Sequence, residues 1–393
     1  MRWNWQHPNW PNFTWNSARL TAAEERFTLG TGVCMGTVSH LEAGDRDRLV
    51  IEVLGNEAVS TSKIEGEILD RDSVQSSIQR QLGLVGDARR GSPAERGIAE
   101  MAVDLYRHFD APLTAETLFA WHRWLVQGRT DLTDVGHYRT SNEPMRIVSG
   151  KLHNPTVHFE APPSQAIETD MERFIDWFNR TAPGGNTPLP SVARSGIAHL
   201  YFEGIHPFED GNGRLGRAIS EKVLAQSFGR PTLMALAATI LTRQRSYYDA
   251  FEAANKGNEI TDWLAWFAGI VLEAQQRTLS QVLFLIDKSK LLNRLRGTLN
   301  VRQEAVLMRM LREGPEGFKG GLSASNYISI ARASPATATR DLVEMVAVGA
   351  LTRTGERRHT RYHLPFPLRP VPRITIDTHG NVVAAVPAFG SSL

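Results

Sequence analysis

The stretch that decides the fold is His206-Pro207-Phe208-Glu209-Asp210-Gly211-Asn212-Gly213-Arg214-Leu215-Gly216-Arg217. Before it, Ile197, Leu200 and Tyr201 recur at helical spacing; after it, Leu215, Ala218, Ile219 and Val223 do so until Gly229. The pattern predicts a helix, a glycine-rich loop and the start of a second helix. Such a loop is an anion site, because first-turn amides lack intrahelical partners and the helix dipole adds positive charge. Arg214 and Arg217 add charge suited to a polyphosphate. His206 is the natural base near neutral pH, and Asp210 is a hard oxygen ligand suited to phosphate-bound Mg²⁺. Gly211, Gly213 and Gly216 also spell G-x-G-x-x-G, but a dinucleotide fingerprint needs a strand ahead of it. Residues 198–203 read as helix, which rejects that alternative.

Outward from this loop, residues 94–285 read as mostly helical. One exception is Met145 to Pro163, where Ile147, Val148, Val157 and Phe159 flank Ser149-Gly150 and predict a hairpin; the other is the Gly- and Pro-rich loop from Thr181 to Pro190. Residues 40–85 show a helical pattern in which Thr61 and Glu65 share a face, as do Ile64 and Ile68. Asp87 to Pro93 reads as a linker. The first thirty residues, with Trp3, Trp5, Trp10 and Trp15, read as an aromatic clamp onto a helical core. Beyond a basic helical stretch at 286–297, helices are expected at Val301 to Leu311, Asn326 to Ala331, and from a Ser334-Pro335 cap through Val348. Alternating strands around Gly355 follow, which is the order of a winged helix-turn-helix. From Pro365 the chain is expected to be loosely attached, with a small hairpin across His379-Gly380. The expected fold class is therefore mostly α. Its expected divisions are 1–90, 91–285, 296–366 and a tail at 367–393.

Composition narrows the function classes. A chain of 393 residues with 41% hydrophobic and 22% charged residues suits two or three globular domains. The net charge of +2 is too small to make nucleic acid or an anionic membrane the partner of the whole molecule. Cys34 is the single cysteine, so no internal disulfide can form and thiolate-held zinc is excluded. The first residues lack the apolar run of a signal peptide, and the most apolar stretch, Leu233 to Leu241, is too short to span a bilayer. A soluble cytoplasmic protein without membrane partners is expected.

The run from His206 to Arg217 resembles the Fic signature, His-Pro-Phe-x-Asp/Glu-Gly-Asn-Gly/Lys-Arg-x-x-Arg, at every defined position. Gly136-His137-Tyr138-Arg139 resembles the segment ahead of that family's flap, and Val157-His158-Phe159-Glu160 resembles the flap that holds the target peptide. Tyr247, Tyr248 and Asn255 resemble positions lining the adenine pocket, although a Tyr-Tyr pair on a helix is equally a packing feature. The resemblance implies transfer of AMP from ATP, with Mg²⁺, to a Ser, Thr or Tyr hydroxyl of a target protein and of the chain itself. His206 would deprotonate the hydroxyl, Phe208 would anchor the loop, and Asp210 would hold Mg²⁺. Gly211, Asn212 and Gly213 would present amides to the phosphates in the stretch that continues through Leu215 and Gly216. Arg214 would grip the β-phosphate and Arg217 the γ-phosphate. Members that phosphorylate instead carry lysine at position 213, so Gly213 favours AMP transfer.

Thr61-Ser62-Lys63-Ile64-Glu65-Gly66 resembles the family's inhibitory motif, Ser/Thr-x-x-x-Glu-Gly/Asn. It implies that Glu65 holds Arg217 away from the γ-phosphate, through an expected two-pronged contact. With the Trp-rich segment and residues 73–84, it resembles the small domain that precedes bacterial Fic domains. Two alternatives stay open: an enzyme of this fold that removes AMP or transfers another phosphate-bearing group, and a regulator that binds DNA through the winged helix. For the second, ten Lys/Arg face six Asp/Glu between Arg302 and Leu364, with Arg353, Arg357, Arg358 and Arg361 gathered at the wing. Protein contact or homodimer formation by the same module is an equal reading.

Overall fold

The computed structural model describes residues 2–39, 41–84, 91–151, 154–231, 233–318 and 320–385. The chain is mostly helical: α1 (Thr21–Ser39), α2 (Ala43–Ile64), α3 (Arg71–Gln81), α4 (Pro93–Arg107) and α5 (Ala115–Leu125) precede a hairpin of β1 (Arg146–Lys151) and β2 (Asn154–Glu160). Then come α6 (Ser164–Arg180), α7 (Ser191–Ile205), α8 (Asn212–Phe228), α9 (Leu236–Thr242), α10 (Gln244–Ala254) and the long α11 (Thr261–Arg294). Next are α12 (Val301–Leu311), α13 (Ala324–Ala331) and α14 (Pro335–Ala347), an antiparallel ribbon of β3 (Thr352–Thr354) and β4 (Arg361–His363), and a second ribbon of β5 (Arg373–Ile376) and β6 (Val382–Ala385).

Two compact units divide the chain. The first holds residues up to Val33, Val50–Gln275 and Arg373–Ala385; the second holds Cys34–Leu49 and Gln276–Pro372. The first unit contains residues from both sides of the expected boundary near residue 90, and Asp87 to Arg90 of the expected linker lie outside the described residues.

At the centre of the first unit lies α7, buried from Val192 to Ile205. Apolar residues such as Val192, Ile197, Leu200 and Phe202 lie around it, as an enclosed helix requires. Two of its polar side chains find partners inside the core: Arg194 donates to Thr181 Oγ1 and the Phe178 carbonyl, and His199 bonds Ser220 and Tyr247. One apolar cluster takes Tyr201, Phe202 and Ile205 from α7; another takes Val192, Ile197 and Leu200. The N-terminal segment does act as a clamp. Trp10 and Phe13 meet Tyr201 edge-on, Trp3 packs on Phe159, and the Trp5 indole donates to the Glu160 carbonyl.

Three expectations need correction. The helical pattern of 40–85 breaks at Ile64, and Ile68 is exposed rather than sharing a face with Ile64. The hairpin does not turn at Ser149-Gly150, which pair with Thr156 and Pro155 inside the ladder. The stretch after Arg373 is not loose: Ile374 is fully buried in the first unit's core, and its backbone bonds Glu273 and Arg243. Those contacts join residues a hundred or more positions apart, which local patterns cannot reveal.

In the second unit, α12, α13 and α14 enclose Val306, Leu307, Tyr327, Leu342 and Met345. Asn300, Ser323 and Ser334 cap the three helices through their side chains. Buried Asp341 accepts from the Tyr327 hydroxyl and from Arg302, so its charge is paired.

Candidate active site

The loop between α7 and α8 begins with a backbone that few residues adopt. His206 caps α7 in the left-handed region, with φ 52° and ψ 60°. A non-glycine residue stays there only when its surroundings hold it. Here the His206 carbonyl accepts from Arg139 Nε at 2.9 Å and the Pro207 carbonyl accepts from the Arg139 amide at 2.9 Å. Arg139 Nη2 also reaches the Pro162 carbonyl just beyond the hairpin, at 2.6 Å. Phe208 is fully buried and stacks on His122 at 4.3 Å. Asn212 closes the loop, accepting from the Phe208 amide at 3.0 Å and donating to its carbonyl at 2.8 Å. Gly211, at φ 84°, caps α8 in a conformation that favours glycine. The first-turn amides of α8 thus face the loop without intrahelical partners.

His206 is 8% exposed, and burial, then the charge of Arg139, pushes its imidazole down to about 4. The ring is neutral at pH 7, the state in which a nitrogen can take up a proton. Burial likewise pushes His122 down to about 4, so it stacks on Phe208 uncharged while its Nδ1 accepts from the Gly136 amide.

Both arginines of α8 are engaged. Arg217 Nε donates to Thr61 Oγ1 at 2.7 Å; Nη2 donates to the Thr61 carbonyl at 3.1 Å and to Glu65 Oε1 at 2.7 Å. Arg214 Nη1 donates to Glu67 Oε2 at 2.8 Å. Glu65 therefore makes one charge-assisted bond to Arg217, not the two expected, and Thr61 supplies the others. How the sequence delivers these carboxylates is local physics. Gly66, at φ 82°, lets the chain reverse as α2 ends. The Gly66 amide bonds the Lys63 carbonyl and the Glu67 amide bonds the Ser62 carbonyl, which is a Schellman cap. Glu65 and Glu67 thus flank the glycine on one turn. Glu65 sits just past the helix rather than on its face. Gly213 completes the fit: a Cβ there would stand 2.2 Å from Glu65 Oε1.

Asp210 accepts from Arg129 Nη1 at 2.6 Å and from the Gly211 amide at 2.6 Å. Among the described residues, no three His, Cys, Asp or Glu side chains group to hold a metal ion. One carboxylate is nonetheless the usual protein share of an Mg²⁺ that arrives on phosphates, so Asp210 fits a metal carried by a nucleotide.

In the hairpin, Phe159 is buried while Val157 is exposed; Glu160 pairs with Arg146. His158 Nδ1 lies 2.8 Å from Glu252 Oε2 on α10, and its Nε2 lies 2.6 Å from Ser149 Oγ. Of the three residues expected at an adenine pocket, Tyr248 is half exposed, and its hydroxyl donates to the Ile64 carbonyl at 3.3 Å. Tyr247 is buried against His199, and Asn255 pins Asn4 of the N-terminal clamp, so both already have packing partners. The sequence reading missed Glu67, Glu203 and Arg129. Only the Gly66 turn, which aims its neighbours alike, signals Glu67.

Residues 112–224 match the Fic/DOC family, and residues 3–84 match a domain of unknown function (DUF4172). The protein adenylyltransferase Fic of Drosophila willistoni is 30% identical over 174 residues, covering 44% of this chain and 30% of that protein. The one from Culex quinquefasciatus is 26% identical over 173 residues, covering 44% of this chain and 29% of that protein. The chain thus spans less than a third of the length of these relatives. The crystal structure of a Fic family protein from Desulfovibrio desulfuricans G20 superimposes with a TM-score of 0.51 at 22% identity, over 90% of this chain and 98% of that one, so the two share a fold. No helix of the described residues is long and apolar enough to cross a membrane. Residues 112–224, which contain the loop from His206 to Arg217, are a Fic domain.

Proposed function

We propose that this chain transfers AMP from ATP to a hydroxyl side chain of a target protein, and that Glu65 holds the reaction in check. The observation that carries the reading is the pairing of Arg217 with Glu65 beside a helix N-terminus and a buried neutral histidine. The phosphates of ATP are held by the amides of Gly211, Asn212 and Gly213 together with Arg214 and Arg217. His206 takes the proton from the incoming hydroxyl oxygen, which attacks the α-phosphorus while pyrophosphate leaves. Asp210 would hold an Mg²⁺ that arrives with the nucleotide, which would supply neutralisation of phosphate charge. Positioning and charge stabilisation supply most of the rate. With Glu65 on Arg217, the γ-phosphate loses its anchor and the α-phosphorus is turned from in-line attack.

The target is taken up as an added strand on the β1–β2 hairpin, whose two-stranded ladder leaves open edges. Treating the full chain and its Glu65→Gly variant with labelled ATP, against other labelled nucleotides, tests the reading by mass spectrometry. AMP added to a hydroxyl is expected, more in the variant. Transfer from another nucleotide only, or loss of AMP from a modified protein, would favour the alternative activities of this fold.

A second reading adds duplex DNA as a partner of the winged-helix arrangement in the second unit, since Arg353, Arg357 and Arg358 on the β3–β4 ribbon are all exposed. Binding would be weak and salt-sensitive. A full chain that gives no shift with duplex DNA at low salt leaves protein contact as the role of this unit.

A further inference from the structure

Two buried atoms near the end of α7 lack hydrogen-bond partners among the described residues: Glu203 Oε1 and His206 Nδ1. The other carboxyl oxygen, Glu203 Oε2, stands 3.8 Å from Nδ1, just beyond hydrogen-bond contact. Glu203 is 5% exposed and His206 8%. Gly216 on α8 makes the room, because a Cβ there would lie 2.8 Å from Glu203 Oε1. A buried carboxyl facing a buried ring nitrogen is costly unless the two join.

We propose that Glu203 is the positioning residue that sets the tautomer of His206, an inference that rests on His206 being the base. A neutral imidazole carries one ring proton, and its partner decides which nitrogen holds it. An ionised Glu203 accepts from Nδ1–H, which leaves Nε2 bare to take the proton of the incoming hydroxyl. A protonated Glu203 donates O–H to Nδ1, so the ring proton sits on Nε2 and no base is available. The same logic orients the histidine of serine hydrolases.

The surroundings decide which state prevails. Facing the pair are the Glu203 backbone carbonyl, which also attracts a proton on the His206 ring, Glu65 beyond α2, Arg217 on α8, Arg139, Asp210 in the loop and Tyr247 on α10. Burial, then the charge of Glu65, pushes the Glu203 carboxyl up to about 8, with Arg217 opposing. Near neutral pH, with Glu65 in place, Glu203 keeps its proton and His206 rests in the idle tautomer. Departure of Glu65 lowers the pH at which Glu203 ionises. Glu65 therefore acts on the base as well as on Arg217.

The test reads the ring nitrogens of His206 by ¹⁵N NMR in the full-length chain, with the signal assigned by its loss in His206→Ala. The parent should exchange tautomers near pH 8, the Glu65→Gly variant at lower pH, and Glu203→Gln not at all; Glu203→Asp should restore a titration if Gln disturbs folding. In the Glu65→Gly background, Glu203→Gln should lower kcat about 10–100-fold with KM for ATP within about twofold, and remove the rising limb of the pH–rate profile. One tautomer throughout in the parent, or kcat within about twofold at every pH, overturns the proposal. His206→Ala separates the failures: if it spares transfer, the base reading falls, whereas its inactivity beside an unaffected Glu203→Gln removes Glu203 alone.

Discussion

The loop from His206 to Arg217 and the hairpin from Arg146 to Glu160 lie close enough that Phe159 and His206 rings stand 6.4 Å apart, yet they are built in opposite ways. In the loop nearly every side chain is buried or tied: Phe208 on His122, Asn212 across the turn, Arg217 on Thr61 and Glu65. In the hairpin, Phe159 is anchored while Ile147, Val148 and Val157 are at least 39% exposed, and a register shift falls between Ile147 and Val148. The contrast suits the two proposed jobs. Chemistry needs atoms fixed within fractions of an ångström, while strand addition needs only an open backbone edge.

The sharpest break of this contrast is His206→Ala, which should cut AMP transfer by about 10³-fold or more and leave ATP binding within about threefold. Activity within tenfold of the parent would remove His206 as the base. Next, Glu65→Gly should raise transfer. One charge-assisted bond is worth about 1.5–3 kcal/mol, so the gain should be about 10–150-fold, below what a two-pronged contact would give. Arg217→Ala in that background should erase the gain, and a folded, ATP-bound Glu65→Gly chain no faster than the parent defeats the account. On the hairpin side, Val157→Pro removes an amide from β2 and should lower target modification about tenfold with nucleotide affinity unchanged. Equal losses in both measurements would mean the hairpin serves ATP rather than the target. Glu67→Gln should have the smallest effect, a rise of about two- to fivefold in kcat/KM for ATP, because Glu67 is about a third exposed and solvent screens its side of the pair with buried Arg214. A rise matching that of Glu65→Gly would make Glu67 an equal partner.

The two regions also differ in how far the sequence reveals them. Phosphate binding demands glycine at a positive φ, amides at a helix start and arginines one turn apart, so Gly211, Arg214 and Arg217 stand out by identity and spacing. Ser334-Pro335 likewise announces its helix, because capping is a local property. Glu203 belongs to no readable pattern: its interest comes from Gly216, thirteen positions away, lacking a side chain. Tyr247 and Asn255 show the converse. Their resemblance to pocket positions says nothing of the contacts with His199 and with Asn4, 251 residues distant, which only the fold reveals. The Glu65 turn lay between: Gly66 marks the end of α2, while a helical pattern continuing past it obscures the break.

The Schellman cap at Gly66 has a consequence for how the proposed restraint is lifted. Helix ends open far more cheaply than whole domains move. If releasing the final turn costs about 2 kcal/mol, Glu65 and Glu67 are away from α8 about 3% of the time. On the proposed function, basal turnover would follow the duty cycle of a single fraying turn, and a ligand at the end of α2 would tune that cycle without touching the nucleotide.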